Sequence, residues 1–199
     1  MPSMICKERN LAFLHFSKTG GWFVTRMLES KGFVVSDMQI CGGHIGVNGY
    51  DSSLIRFGFI RHPISWYRSL FNYFSNQNWK IVDCDFSYLR SDNLDDFVGR
   101  CVDSFDLMQL YKVFYGVDTD KEADFIFRFE DMHTILPEFL NNHGIDCFDY
   151  IRKNKDNRVN KSETQFDDSC SEKTQSFIYD ACHPIFERFR YEKKDPRDS

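Results

Sequence analysis

Residues 14–22, LHFSKTGGW, place one lysine, Lys18, ahead of Thr19 and two glycines, at the point where an apolar run stops. A glycine-rich loop at a helix start presents unpaired backbone N–H groups and the positive end of the helix dipole. Together these hold phosphate or sulfate. Lys18 adds a mobile full charge, so Ser17, Lys18, Thr19, Gly20, Gly21 and Trp22 form a candidate anion cradle. A tight turn with a solvated lysine fits this segment alone equally well. A nucleotide P-loop of the GxxxxGK[ST] type fits less well, because Ala12 and Ser17 stand where that pattern needs glycines.

A second segment, residues 57–74 (FGFIRHPISWYRSLFNYF), repeats the logic of a strand that ends in a cation and opens a helix. Arg61 at the strand end and Ser69, about two turns into the helix, can reach one anion, with Arg68 a further cation nearby. Ile64, Tyr67, Phe71 and Phe74 read as ordinary helix interior. For proton transfer the candidate is His44, which follows two glycines in CGGHIG, since imidazole titrates near neutral pH. A loop histidine with a structural hydrogen bond is the alternative there. His15 is the second candidate, two residues before the loop, where it can orient Lys18 or a phosphate; Glu130 is a supporting acid at a later strand end. His62, His133, His143 and His183 have no comparable neighbours in sequence.

These residues need elements to position them. Residues 10–16 read as a short buried strand, and Trp22, Val24, Met27 and Leu28 recur at helical spacing over 21–29 until Gly32 ends the helix. Strands are expected at 33–35 and 54–60, a glycine-rich turn at 41–46, and a helix over 64–73 started by Pro63. Residues 75–92 lack a sustained period and read as a loop or lid. Helices are expected at 94–101 and 105–114, a strand at 125–129, and a helix from an Asp131 cap to residue 141. Residues 145–165 read as irregular. Ser169 and Glu172 suggest a capping box for a final helix kinked by Pro184. Alternating strands and helices over 1–199 imply one α/β domain whose sheet is mostly parallel, with ligands at the carboxyl ends of its strands.

Composition narrows the partners. The 25 basic and 30 acidic side chains leave a net charge of -5, which disfavours broad electrostatic binding to nucleic acid. No apolar stretch reaches membrane-spanning or signal-peptide length, so the chain reads as a soluble, cytoplasmic protein with no membrane partner. Its seven cysteines include no CxxC pair, and no metal-ligand cluster stands at usable spacing, so neither a disulfide framework nor a metal site is indicated.

FLHFSKTGGWF and RHPISWYRS resemble the two donor-binding motifs of the sulfotransferase superfamily, closer to its carbohydrate (Golgi-type) branch than to the branch that sulfates phenols and steroids. The 5'-phosphosulfate loop of that family looks like FxHxPKTGGTS and its 3'-phosphate motif like RxPxxRxxS. Gly43-His44, an RxEDL-like run from Arg128 to Met132, and an N-x-S at Asn160 and Ser162 follow in the family's order, so the resemblance spans nearly the whole chain. It implies a P-loop-like nucleotide-binding fold, with 3'-phosphoadenosine 5'-phosphosulfate as donor and no metal. It also implies transfer of the sulfuryl group to an acceptor hydroxyl, or an amine, on a sugar, small glycan or other small molecule. Lys18 and the 19–22 amides would hold the phosphosulfate, Arg61 and Ser69 the 3'-phosphate, Asn160 and Ser162 would help close the nucleotide site, and His44 or His15 would serve catalysis. The chain departs from the pattern at Ser17, where the family has Pro, at Trp22 and Phe23, where it has hydroxyl residues, and at Trp66, where it has Arg. Two other readings remain open: a degenerate, non-catalytic module that binds the 3'-phosphorylated nucleotide, and a P-loop kinase using ATP and magnesium.

Overall fold

Leu11, Ala12, Phe13 and Leu14 are all buried, which a strand achieves only with cover on both faces. The computed structural model describes residues 3–35, 46–81, 84–102, 104–154 and 166–195. In chain order its elements are β1 (Met4–Cys6), β2 (Leu11–Leu14), α1 (Gly21–Glu29), β3 (Val34–Val35), β4 (Ile55–Ile60), α2 (Pro63–Asn76), β5 (Lys80–Ile81) and β6 (Cys84–Asp85). There follow α3 (Leu94–Cys101), α4 (Leu107–Tyr115), β7 (Phe125–Arg128), α5 (Met132–Asn142), α6 (Phe148–Asn154), α7 (Glu172–Ala181) and α8 (His183–Phe189). Two compact units result, Met1–Arg61 with Tyr111–Val159, and His62–Leu110 with Asn160–Ser199.

The first unit carries a five-stranded sheet in the order β3-β1-β2-β4-β7. Strands β2, β4 and β7 are parallel, with Leu14 beside Gly58 and Ile60 beside Arg128, so their carboxyl ends share one edge. At the other end Arg56 and Asp124 form a 3.0 Å ion pair at the starts of β4 and β7. Strand β1 runs antiparallel to both of its neighbours, β2 and β3, so the sheet is mixed, which corrects the mostly parallel sheet expected from sequence. The reason is a tight return: a 3-10 turn at Lys7–Arg9 and Asn10, with φ of 54°, fold β1 back onto β2. Three apolar-leaning residues between polar neighbours carry too little pattern to announce such a strand.

Period-two alternation places Leu11 and Phe13 of β2 and Phe57 and Phe59 of β4 in one core with Val24, Met27 and Leu28 of α1, Leu136, Phe139 and Leu140 of α5, and Ile151 of α6. The sequence pattern stopped one element short, because α6 lies in the stretch read as irregular.

In the second unit α2 begins with Pro63 in its first turn, where a missing N–H costs nothing, and is buried on most sides. Phe71 and Phe74 meet Phe97 of α3 at 5.4 and 6.1 Å, and Phe74 stacks on Phe86 at 4.7 Å. Residues 75–92, read as a loop, contain the β5–β6 hairpin and a 3-10 turn at Ser87–Leu89. The final helix is two helices. Ser171, not Ser169, caps α7 by accepting from the Thr174 amide at 3.2 Å, and Pro184 starts α8 instead of kinking a continuous helix. Ser169 donates from its own amide to Asp167 at 3.0 Å, a turn that precedes the cap. No helix among the described residues is long and apolar enough to cross a membrane.

Candidate anion-binding site

The carboxyl ends of β2 and β4 are adjacent by register, and each releases the chain into a segment that carries a cation. After β2 the chain turns through residues 15–20, with Lys18 at φ 66° and Gly20 at φ 74°, both left-handed. For lysine that conformation costs on the order of 1 kcal/mol or more, which the surrounding contacts must offset. Gly20 is the N-cap of α1, so the amides of Gly21 and Trp22 open the helix where no intrahelical carbonyl reaches them.

Lys18 is largely withdrawn from water. Burial, and then the charge of Arg61, lower its pKa to about 8 from 10.5. Arg61 follows β4 directly. Its Nη1 donates to the Lys18 carbonyl at 3.1 Å, and its guanidinium carbon lies 4.9 Å from the centre of the Phe129 ring. The backbone of Arg61 is held by Tyr111, whose hydroxyl lies 3.3 Å from the Arg61 carbonyl and donates to it. Phe129, at the end of β7, also covers Gly20: a Cβ there would come within 2.6 Å of its ring. Three parallel strand ends thus assemble one cationic site, and its geometry favours an oxyanion.

Glycine at position 21 has a separate cause. The imidazole of His15 lies where a Gly21 Cβ would stand. His15 is buried and braces the first turn of α1 from beneath, which is a supporting position. Thr19 is also buried, with its hydroxyl donating to the Phe16 carbonyl at 2.7 Å. Its side chain therefore stabilises the loop itself, and only its backbone remains for a ligand. This arrangement gives no support to the kinase reading, which needs that hydroxyl on a metal. Ser17 and Trp22 are half-buried. The Arg26 guanidinium sits 3.6 Å from the Trp22 ring centre. Phe23 turns inward against His133 at 5.1 Å and Tyr150 at 5.9 Å, a packing position that a hydroxyl residue would not fill.

In the second unit Ser69 lies half-buried on α2. Arg68, offered by its spacing as a further anion ligand, is instead buried: it forms an ion pair with Asp195 and donates from Nε to the Asp168 carbonyl at 2.8 Å. His62 is buried between Phe186 and Tyr191, its Nε2 hydrogen-bonded to the Glu192 carbonyl at 2.9 Å. Glu130 is exposed in a 3-10 turn after β7. His44, Asn160 and Ser162 lie outside the described residues.

Sequence reasoning missed Phe129, Tyr111, Tyr115 and Phe16. Phe16 and Phe129 stood in expected strands and Tyr111 in an expected helix without a role, Tyr115 fell one residue beyond that helix, and the i, i+4 spacing of the two tyrosines on α4 is the signal that marks a shared face. Among the described residues no group of three or more His, Cys, Asp or Glu side chains is placed to hold a metal ion. No protein-family model, no curated protein and no solved structure matches this chain.

Proposed function

We propose that this chain is a sulfotransferase that moves the sulfuryl group of 3'-phosphoadenosine 5'-phosphosulfate to a hydroxyl of a sugar or small glycan. The observation that carries the reading is the pairing of Lys18 with Arg61 on adjacent strand ends, beside glycines that bring the backbone amides of α1 into the open. Fit is supported by the left-handed Gly20 cap, which starts α1 without a side-chain cap and leaves the Gly21 and Trp22 amides with no intrahelical carbonyl.

The donor, when bound, supplies an activated sulfur–oxygen bond. Lys18 then faces the bridging oxygen and stabilises the negative charge that collects on the departing 5'-phosphate. The amides of Thr19 to Trp22 hold the remaining phosphate oxygens. Arg61 binds the 3'-phosphate and distinguishes this donor from ATP. A base takes the acceptor proton as the new sulfur–oxygen bond forms and the old one breaks; His44 is assigned that role. His15 acts from below the loop by keeping Gly21 and the first turn of α1 in place.

Calorimetric titration with 3'-phosphoadenosine 5'-phosphate, against 5'-AMP and ATP, tests the donor site. Wild type is expected to prefer the 3'-phosphorylated ligand, and Arg61→Ala to lose that preference. Equal affinity for all three nucleotides would refute the reading. The non-catalytic alternative shares the same binding site, so turnover with a panel of glycan acceptors, and its loss in His44→Ala, separates the two.

A further inference from the structure

Lys18 and Arg61 are both cations, and holding them side by side in a partly buried site is uphill unless the fold constrains them. Neither stands inside a helix or strand: Lys18 is in a loop and Arg61 in the two-residue connection between β4 and α2. The constraint lies one layer below, in Tyr115 at the end of α4. Its ring, fully buried, lies on Gly58 of β4, whose missing side chain makes the approach possible. Its hydroxyl donates to the Phe59 carbonyl at 2.7 Å, two residues before Arg61. The ring that this hydroxyl anchors is also the surface on which Phe16 rests, two residues before Lys18. Thr19 in turn donates to the Phe16 carbonyl at 2.7 Å, closing the loop on itself. One turn earlier, Tyr111 holds the Arg61 backbone, and the Phe16 ring packs against Tyr111 and Tyr115 at 5.1 and 6.0 Å.

We propose that the Tyr115 hydroxyl is a positioning group that sets the separation of Lys18 and Arg61 by tying the 16–19 loop to the end of β4. Its role in donor binding rests on the sulfotransferase reading above. The group touches no ligand, and its effect passes through the loop. A buried bond of this kind is worth more than its own strength because its loss leaves the Phe59 carbonyl without that partner and frees the ring on which Phe16 rests.

The test uses Tyr115→Phe, which keeps the ring and removes the oxygen. Two readouts are taken on the full chain: the titration midpoint of the Lys18 ammonium by NMR in the free protein, and the affinity for 3'-phosphoadenosine 5'-phosphate. Loosening the loop hydrates Lys18 and separates it from Arg61. Its midpoint is therefore expected to rise from about 8 toward the ordinary lysine value, with affinity falling about tenfold. A hydroxyl that served stability alone would lower Tm without moving a native-state titration, so an unchanged Lys18 midpoint overturns the proposal whatever the affinity does. If Tyr115→Phe does not fold, Phe16→Leu weakens the same contact from the loop side and is read the same way. A wild type that ignores the nucleotide, with a midpoint that still moves in Tyr115→Phe, would refute the donor reading and leave the positioning role standing.

Discussion

Arg61 donates from Nη1 to the backbone carbonyl of Lys18 at 3.1 Å, so the side chain that depresses the lysine's proton affinity is tied to that lysine's own backbone. A loop built this way stores unfavourable electrostatics that an incoming oxyanion relieves, and the energetic signature of that storage can be measured without any ligand.

Lys18→Met is expected to stabilise the protein at pH 7 while abolishing nucleotide binding. The folded-state pKa of about 8 lies below the unfolded value of 10.5, so the unfolded chain binds more protons across that window. Below pH 8 the full cost of the buried charge is present, about 3 kcal/mol at 1.36 kcal/mol per pH unit; above pH 10.5 it vanishes. Wild-type stability should therefore rise from pH 8 to 10.5 relative to Lys18→Met. Urea denaturation of both proteins at pH 7 and pH 10.5 reads the gap directly. A gap that does not narrow with pH would mean that burial is not what the lysine pays for.

Gly21→Ala is expected to weaken anion binding and to destabilise the protein by about 1–3 kcal/mol, the range for overpacking, because the new methyl group meets the His15 imidazole. The remedy is specific. Since alanine is intrinsically the better helix former, adding His15→Ala to Gly21→Ala should remove most of the penalty. A double-mutant cycle by thermal unfolding gives the coupling, and additive effects would show that the two positions do not meet.

Position 23 shows why the resemblance departs there. Phe23→Thr, which introduces the residue type of the motif it resembles, is expected to cost about 1–3 kcal/mol of stability, less than emptying a fully buried aromatic site, because the half-buried ring packs between His133 and Tyr150. Trp22→Thr removes only a half-buried ring with Arg26 over one face and should cost about 1 kcal/mol or less. Chemical denaturation of the two variants side by side decides this, and equal losses would show that the contacts with His133 and Tyr150 add nothing to Phe23's burial.

Much of this geometry was legible in the chain. The bounds of α1 and α3 followed from apolar spacing, and Lys18 and Arg61 were each legible as a cation at a strand end, although the direct contact between them was not. What stayed hidden had physical reasons. Strand β1 is too short to show a period, and its reversal depends on the left-handed Asn10. The fate of Arg68 was unreadable because its partner, Asp195, lies 127 positions away and no local pattern links an arginine to so distant an acid. Spacing placed Thr19 correctly in the loop but left open whether its hydroxyl faced ligand or core; its burial and its bond to the Phe16 carbonyl decide it.

The Arg68–Asp195 pair gives the last prediction. Both side chains are almost fully withdrawn from water, and Arg68 also donates to the Asp168 carbonyl while Asn72, one turn on, donates to the Asp168 carboxylate at 3.0 Å. Breaking such a pair strands a charge, so Asp195→Ala is expected to cost about 3–5 kcal/mol. Replacing both members with apolar residues of similar volume, Arg68→Met with Asp195→Leu, should recover most of that loss, because desolvation offsets much of the attraction in a buried pair. Equilibrium unfolding of the single and double variants measures the difference. If the double variant is as unstable as Asp195→Ala, the pair is contributing net stability through the wider Asp168 and Asn72 network, and α2 depends on that network to hold the 167–168 and 191–195 segments in place.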